Sequence, residues 1–153
     1  MNKKQKIITT GVIILAGLGA TGGTIGYLDA DHTEYAKIAS SHPKSDFEHY
    51  VKTETPAIVI FFSHDCKDCL SVQGTVTSAV EKHQKSSDIK ILAIDKMDTG
   101  KDFMLKNGVT ETPTFQYRIG NKVYYQYSGT DKKKIKTILS GINPDTNKAF
   151  SEN

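Results

Sequence analysis

The sequence contains very few cysteines, and this scarcity excludes several kinds of site. Its only two, Cys66 and Cys69, are separated by two residues. A disulfide between them would close so short a loop that it would hardly constrain the unfolded chain, which excludes a structural staple. A second Cys-x-x-Cys pair, as in zinc sites built from two such pairs, is absent. Attachment of c-type haem is excluded because Leu70, and not histidine, follows the second cysteine.

Three interpretations of the Cys66 and Cys69 pair remain open from the spacing alone. In thiol–disulfide exchange, one thiolate attacks a substrate and the second thiol resolves the mixed disulfide. In a metal site, the two thiolates would be joined by the nearby His64. The third interpretation is that the pair has no chemical role.

Charged residues are missing from a long apolar stretch near the N-terminus, residues 7–28. Its 22 residues are enough for a helix across a hydrocarbon core of ~30 Å. A cleaved signal peptide is the alternative, although no convincing cleavage site is present, and no cysteine follows the stretch as in a lipoprotein signal. Because Lys3, Lys4 and Lys6 precede the stretch, we expect a single-pass membrane anchor with a cytoplasmic N-terminus and an extracytoplasmic domain.

The chain after residue 6 carries no net charge. Of 20 basic residues, three precede residue 7, and no acidic residue precedes Asp29, which leaves 17 basic against 17 acidic residues. The exported part therefore lacks the basic excess that would favour nucleic acid or anionic lipid. We expect no nucleic-acid partner, and contact with the membrane only through residues 7–28.

The pattern along the chain predicts alternating strands and helices after a linker at 29–34. Apolar and β-branched runs predict strands, and apolar residues spaced three and four apart predict helices. Ser45 and Glu48 fit a capping box at a helix start. The predicted elements are a strand at 35–38, a helix at 45–53, a strand at 56–63, a helix at 66–85, a strand at 89–95, a helix at 101–108, a hairpin at 112–129, a helix at 131–142 and a flexible tail at 143–153.

This order predicts an α/β sandwich with a mixed central sheet over residues 35–142. Cys66 would lie at the carboxyl edge of a central strand, where open α/β sheets place their sites. The N-terminus of the following helix favours a thiolate at Cys66, whereas the helical spacing turns Cys69 towards the core.

The motifs of this region resemble those of the thioredoxin family. The resemblance spans about residues 35–142 and rests on the stretch FFSHDCKDC, the block KNGVTETPTF, the turn at Gly120 and Gly129 ahead of the last helix. It implies a thioredoxin-like fold and raises thiol–disulfide exchange above the other two interpretations.

The resemblance also implies roles for four residues. Cys66 would be the nucleophile and Cys69 the resolving thiol. Thr112 and Pro113 stand at the position of the family's cis-proline, where they would pair with the extended backbone of a substrate.

Several positions depart from the thioredoxin pattern. Lys67 would favour the thiolate of the first cysteine, whereas Asp65 and Asp68 would oppose it. The departures imply that the chain is not a routine cytosolic thioredoxin. Similar anchored or secreted relatives in Gram-positive bacteria assist disulfide formation in exported proteins, including bacteriocins, or serve conjugation and envelope systems. The departures are Asp65 in place of tryptophan, Lys67 and Asp68 in place of Gly-Pro, Ile60 in place of a buried aspartate, and Gly74 in place of proline.

We therefore expect a membrane-anchored thiol–disulfide oxidoreductase. An oxidant or isomerase is favoured over a reductase because Ile60 cannot take or give a proton and because Thr112 before Pro113 resembles disulfide isomerases. Its substrates would be exported proteins with thiols or disulfides, and its electron partner a membrane or extracytoplasmic protein. No metal is expected, and no cofactor beyond the Cys66–Cys69 disulfide.

Two alternatives to an oxidoreductase remain. One is a redox-inert envelope module that binds copper or zinc through Cys66, Cys69 and His64, or that scaffolds a complex. The other is a chaperone that holds substrates in the cis-proline groove. His64 would either assist proton transfer at neutral pH or face solvent as an ordinary loop histidine.

Overall fold

The computed structural model describes residues 34–84 and 89–152. It begins with a 3-10 turn at Glu34–Lys37. The elements that follow are α1 (Pro43–Lys52), β1 (Ala57–Phe62), α2 (Lys67–His83), β2 (Lys90–Asp95), α3 (Lys96–Thr99), α4 (Lys101–Lys106), β3 (Thr114–Ile119), β4 (Lys122–Ser128), α5 (Lys132–Leu139), β5 (Ile142–Asn143), β6 (Lys148–Ala149) and a 3-10 turn at Phe150–Glu152.

Strands β1 to β4 form a mixed sheet in the order β2-β1-β3-β4. Strand β1 pairs in parallel with β2 and antiparallel with β3, and β3 and β4 form a hairpin. The predicted α/β sandwich with a mixed central sheet is therefore confirmed. The carboxyl ends of β1 and β2 meet at one edge of the sheet, where Phe62 is paired with Asp95.

Strand β1 is buried along its whole length because an apolar layer covers each face of the sheet. Successive side chains of a strand point to opposite faces. Ile58, Ile60 and Phe62 pack in the layer that contains α2 and α5, whereas Val59 and Phe61 pack in the layer that contains α1 and α4. This packing fixes the end of β1, and with it the start of the loop that leads to the cysteines.

The first segments differ from the prediction. Helix α1 begins at Pro43, which suits the first turn because proline needs no hydrogen-bond acceptor for a backbone N–H there. Ser45 lies inside the helix and donates its hydroxyl to the His42 carbonyl, so the predicted capping box is wrong. The predicted strand at 35–38 is a 3-10 turn, and Ala39 forms a bridge to Ala93 of β2.

The predicted flexible tail at 143–153 is wrong for the residues that the structure describes. Strands β5 and β6 pair, and Phe150 is 2 % exposed with its ring stacked on Tyr117 at 4.4 Å. Burial of such a ring contributes roughly 1.5–3 kcal/mol. A lone aromatic residue in a polar stretch gives no periodic pattern, which is why the sequence did not predict this packing.

The predicted membrane helix at 7–28 lies outside the described residues, as does most of the linker at 29–34. Among the helices of residues 34–84 and 89–152, none is both long enough and apolar enough to span a bilayer.

Candidate active site

Cys66 lies at the N-terminus of α2, as the sequence predicts. After β1 ends at Phe62, a short loop places Cys66 at the N-cap, where its Sγ accepts the N–H of Cys69 at 3.4 Å. The N–H of Cys66 donates in turn to the Ser63 carbonyl at 3.1 Å. Because the first amides of a helix have no partner within it, a sulfur at this point receives hydrogen bonds that favour its charged form.

Two opposing influences act on the Cys66 thiol. Partial burial raises its pKa, but hydrogen bonding with Thr112 and with the Cys69 amide outweighs burial, and the pKa of Cys66 falls below its ordinary value. A lower pKa means a larger thiolate fraction at neutral pH, and the thiolate is the nucleophile in disulfide exchange.

Cys69 has the opposite character. It is fully buried, at 0 % exposure, on the core side of α2, and burial raises its pKa to about 12. Both cysteines are free thiols, so the structure represents the reduced form. The site thus contains one accessible, acidic thiol and one buried thiol that keeps its proton.

Thr112 and Pro113 join the cysteines from a distant part of the chain. The Thr112–Pro113 peptide bond is cis, and Pro113 is buried. The Thr112 carbonyl accepts the Cys66 thiol hydrogen at 3.3 Å across 46 residues of sequence. The Pro113 carbonyl accepts the Gly129 N–H at 3.1 Å, which fixes this loop against the end of β4.

His64 is not the solvent-facing loop residue of the simpler prediction. Its side chain is 19 % exposed, and its Nδ1 lies 2.6 Å from Oδ2 of Asp95. An ionised carboxylate can only accept, so Nδ1 carries the hydrogen. Asp95 also accepts the Met97 N–H at 2.9 Å and thereby caps α3.

The charged residues next to the cysteines in the sequence are all exposed. Asp65 is exposed and accepts the Ser63 hydroxyl, a hydrogen bond that lowers the pKa of the Asp65 carboxyl, with smaller contributions from the positive charges of His64 and Lys96. Lys67 and Asp68 are exposed in the first turn of α2.

Sequence reasoning missed two residues that the structure brings to the site, Tyr35 and Asp95. Asp95 ends the second buried strand, so the parallel pairing of β1 and β2 could have indicated its position beside the residues before Cys66. Tyr35 donates its hydroxyl to the Cys69 carbonyl at 3.2 Å. No local pattern could have indicated this contact, because the two residues are 34 positions apart.

The metal-binding alternative requires three ligands in one place. Within the part of the chain that the structure describes, no group of three His, Cys, Asp or Glu side chains is arranged to hold a metal ion. The arrangement of an acidic thiol beside a buried one instead supports thiol–disulfide exchange in general terms.

Comparisons with known proteins agree with this site. The thioredoxin family model matches residues 38–141. No curated protein matches the chain.

Solved thioredoxins share the fold at low identity. Mitochondrial thioredoxin 3 from Saccharomyces cerevisiae is 18 % identical with a TM-score of 0.56, and the match covers 70 % of this chain and 97 % of that one. The germline-specific thioredoxin Deadhead from Drosophila melanogaster is 21 % identical (TM-score 0.55; 67 % and 97 % covered). Thioredoxin from Fasciola hepatica is 20 % identical (TM-score 0.52; 63 % and 91 % covered). Because the family match extends over more than half of the sequence and includes both cysteines and the cis-proline, the chain belongs to the thioredoxin family.

Proposed function

We propose that this protein is a membrane-anchored thiol–disulfide oxidoreductase that acts on exported proteins through Cys66 and Cys69, as an oxidant or isomerase more than as a reductase. The observation that carries the proposal is the unequal pair of thiols. The pKa of Cys66 is lowered at the helix N-terminus, whereas burial raises the pKa of Cys69 to about 12.

The two thiols would act in sequence. A substrate thiolate attacks Cys66 of the oxidised pair, and Cys69 leaves as the second sulfur of the broken bond. A second substrate thiolate then attacks the mixed disulfide at the substrate sulfur and releases Cys66. Two substrate thiols thereby become one disulfide, and the Cys66–Cys69 pair takes up two electrons.

Thr112 and Pro113 would hold the substrate during this exchange. The Thr112 carbonyl lies 3.3 Å from the Cys66 sulfur, so a peptide chain laid along residues 112 and 113 would bring its own cysteine to that sulfur. Backbone hydrogen bonds to such an edge do not depend on side chains, which suits an enzyme with many substrates.

The proposed direction of electron flow is supported by Ile60. This side chain is 0 % exposed in β1 and stands at the position where the resemblance to thioredoxins implies a buried aspartate. An alkyl side chain cannot accept the proton of Cys69, so the deprotonation that reduction of a substrate requires lacks a base at this position. Oxidation has no such need, because Cys69 leaves as a thiolate.

The membrane location rests on the sequence of residues 3–28. Three lysines precede an uncharged stretch of helix length, which by the positive-inside bias favours a cytoplasmic N-terminus and an external domain. In an oxidising compartment the pair would be mostly oxidised unless a dedicated partner supplied electrons.

Two measurements on the wild-type protein test the chemistry. We expect a reduction potential clearly above the roughly −270 mV of thioredoxin, and faster oxidation of a reduced secreted protein than reduction of insulin. Cys69→Ser should accumulate mixed disulfides with exported proteins. An inert pair that binds stoichiometric copper or zinc would support the metal-binding alternative and contradict the proposal.

A matched pair of substitutions tests the direction. Ile60→Asp should speed insulin reduction by about tenfold or more by restoring a base, whereas Ile60→Asn, of similar size and without a titratable proton, should not. Equal effects of the two variants would contradict the role assigned to Ile60. For the location, protease added to whole cells should degrade the domain, and the protein should remain in membranes after an alkaline wash.

A further inference from the structure

A tyrosine from outside the matched family region lies beside the cysteines on their buried side. Tyr35 is 0 % exposed and precedes residue 38, where the match to the thioredoxin family begins. Its hydroxyl donates to the Cys69 carbonyl at 3.2 Å. Its ring stacks on Phe62, the last residue of β1, with centroids 4.2 Å apart and planes 12° apart.

These contacts leave the Tyr35 hydroxyl little freedom to move away. The ring packs against Phe62 at the end of β1. The ring and both cysteines belong to one apolar cluster. Ile60, two residues earlier on the same face of β1, is equally buried and has no polar atom. The phenol of Tyr35 therefore supplies a hydrogen-bond donor on the side of the site where Ile60 supplies none.

We propose, resting on the function proposed above, that Tyr35 is a positioning residue of the redox centre. It holds the first turn of α2 through the Cys69 carbonyl, and the positive end of its hydroxyl dipole, directed at this residue, stabilises Cys69 when the sulfur becomes a thiolate.

The chemistry of the leaving thiol explains why such a donor matters. The substrate thiolate forms a bond to Cys66 Sγ, the Cys66–Cys69 bond breaks, and Cys69 takes the electron pair as a thiolate. A thiol leaves faster when its pKa is low, yet burial raises the pKa of Cys69 to about 12. The hydroxyl dipole of Tyr35, held at the Cys69 carbonyl, stabilises the developing charge without any proton transfer, and the Cys69 thiolate later takes a proton from water.

Electrostatics within the site support the same assignment. Burial raises the pKa of Tyr35 well above its ordinary value, and negative charge on Cys69 and then on Cys66 raises it further. The phenol lies in the same buried cluster as both cysteines, and its raised pKa means that it keeps its proton throughout the working pH range.

The first test compares Tyr35→Phe with Tyr125→Phe. Each variant loses one hydroxyl, but Tyr125 lies on β4 and packs against Phe150. We expect Tyr35→Phe to slow the opening of the oxidised pair by a small thiol about fivefold, the value of one ordinary hydrogen bond, and Tyr125→Phe to leave the rate unchanged.

The second readout separates this role from a merely structural one. In a Cys66→Ser background, Tyr35→Phe should lower the rate at which iodoacetamide alkylates Cys69, because less thiolate is present. If Tyr35 only held the fold together, its loss would loosen the site and increase access to Cys69. An unchanged or faster alkylation would overturn the proposal.

A third variant keeps the test decisive if Tyr35→Phe does not fold. Replacement of Tyr35 by 3-fluorotyrosine preserves the ring and makes the phenol a stronger donor, so opening of the disulfide should be faster, and an unchanged rate would overturn the proposal. Failure of the proposed function is distinguishable, since the wild-type pair would then be inert. An active wild type with equal rates in all the Tyr35 variants would remove this inference alone.

Discussion

Nδ1 of His64 lies 2.6 Å from Oδ2 of Asp95, and this contact ties the loop before the first cysteine to the carboxyl end of β2. Asp95 is 6 % exposed and also caps α3 through the Met97 N–H. The Asp95 carboxylate therefore fixes both the loop before Cys66 and the start of α3, at the edge of the sheet where the cysteines lie.

Asp95→Ala should lower the free energy of unfolding by about 2–3 kcal/mol, since it removes a helix cap and the hydrogen bond between His64 and a carboxylate. Asp98→Ala is the matched control, because Asp98 is an exposed acid in the same short helix. Urea denaturation of the two variants measures the difference. Equal losses would show that the contact with His64 contributes little.

The unequal thiols predict unequal reactivity in the reduced protein. Because hydrogen bonds lower the pKa of Cys66 and burial raises that of Cys69 to about 12, iodoacetamide at neutral pH should modify Cys66 at least about 100-fold faster. Mass spectrometry of peptides after short exposure gives both rates. Comparable rates would contradict the assignment of Cys66 as nucleophile.

The raised pKa of Cys69 also predicts a stability that depends on pH. The unfolded chain releases this proton at about pH 8.5, whereas the folded protein keeps it until about pH 12. The contribution of Cys69 is thus fully present below the unfolded pKa and is lost as the pH rises towards the folded one, by at most about 1.4 kcal/mol per pH unit.

The oxidised protein is the control for this pH dependence, because its cysteines do not titrate while every other group is the same. The pKa of Cys66 is lowered, so Cys66 is ionised in both states above about pH 9 and does not contribute to the slope there. Urea midpoints between about pH 9 and pH 10.5 should fall more steeply for the reduced protein. Parallel slopes for the two forms would contradict the raised pKa.

Two glycines should respond in opposite ways to alanine. A Cβ at Gly74, inside α2, would meet no atom within 4 Å, so Gly74→Ala should stabilise the protein by about 0.5–1 kcal/mol. Gly129 has a φ of +136°, and a Cβ there would lie 2.9 Å from the Tyr127 hydroxyl. Gly129→Ala should therefore destabilise by more than about 1 kcal/mol. Thermal denaturation of both variants checks the two signs.

Gly129→Ala should also slow disulfide exchange, because the Gly129 N–H holds the Pro113 carbonyl at 3.1 Å beside the cysteines. Gly74→Ala should leave the exchange rate unchanged. A Gly129→Ala variant with full activity would show that this hydrogen bond does not position Pro113.

The C-terminal segment should contribute to stability and not behave as a free tail. Phe150 is 2 % exposed and stacks on Tyr117, so Phe150→Ala should cost about 3–5 kcal/mol. Phe150→Leu, which retains most of the apolar volume, should cost less. Denaturant unfolding measures both, and a loss below about 1 kcal/mol for Phe150→Ala would contradict the packing seen here.

Local patterns in the sequence determined the frame of this protein. The run AIVIFF predicts a strand buried on both faces, because both apolar layers of the sandwich need its side chains. The helical spacing after Cys66 places one cysteine at a helix start and turns Cys69 inward, so their unequal burial follows from the helix period alone. The hairpin of β3 and β4 and the order of elements likewise depend on neighbouring residues.

Tertiary packing decided which distant residues meet the cysteines. Contacts across 46, 31 and 34 residues bring Thr112 to Cys66, Asp95 to His64 and Tyr35 to Cys69. None of these distances follows from a local period, because each depends on how strands pair and how side chains fill the core. The burial of Phe150 likewise could not be predicted from the sequence, since a single ring in a polar stretch is buried only where the sheet places Tyr117 against it. The sequence alone therefore determined the reactive pair and its frame, whereas the fold decided which hydroxyl, carbonyl and carboxylate groups surround it.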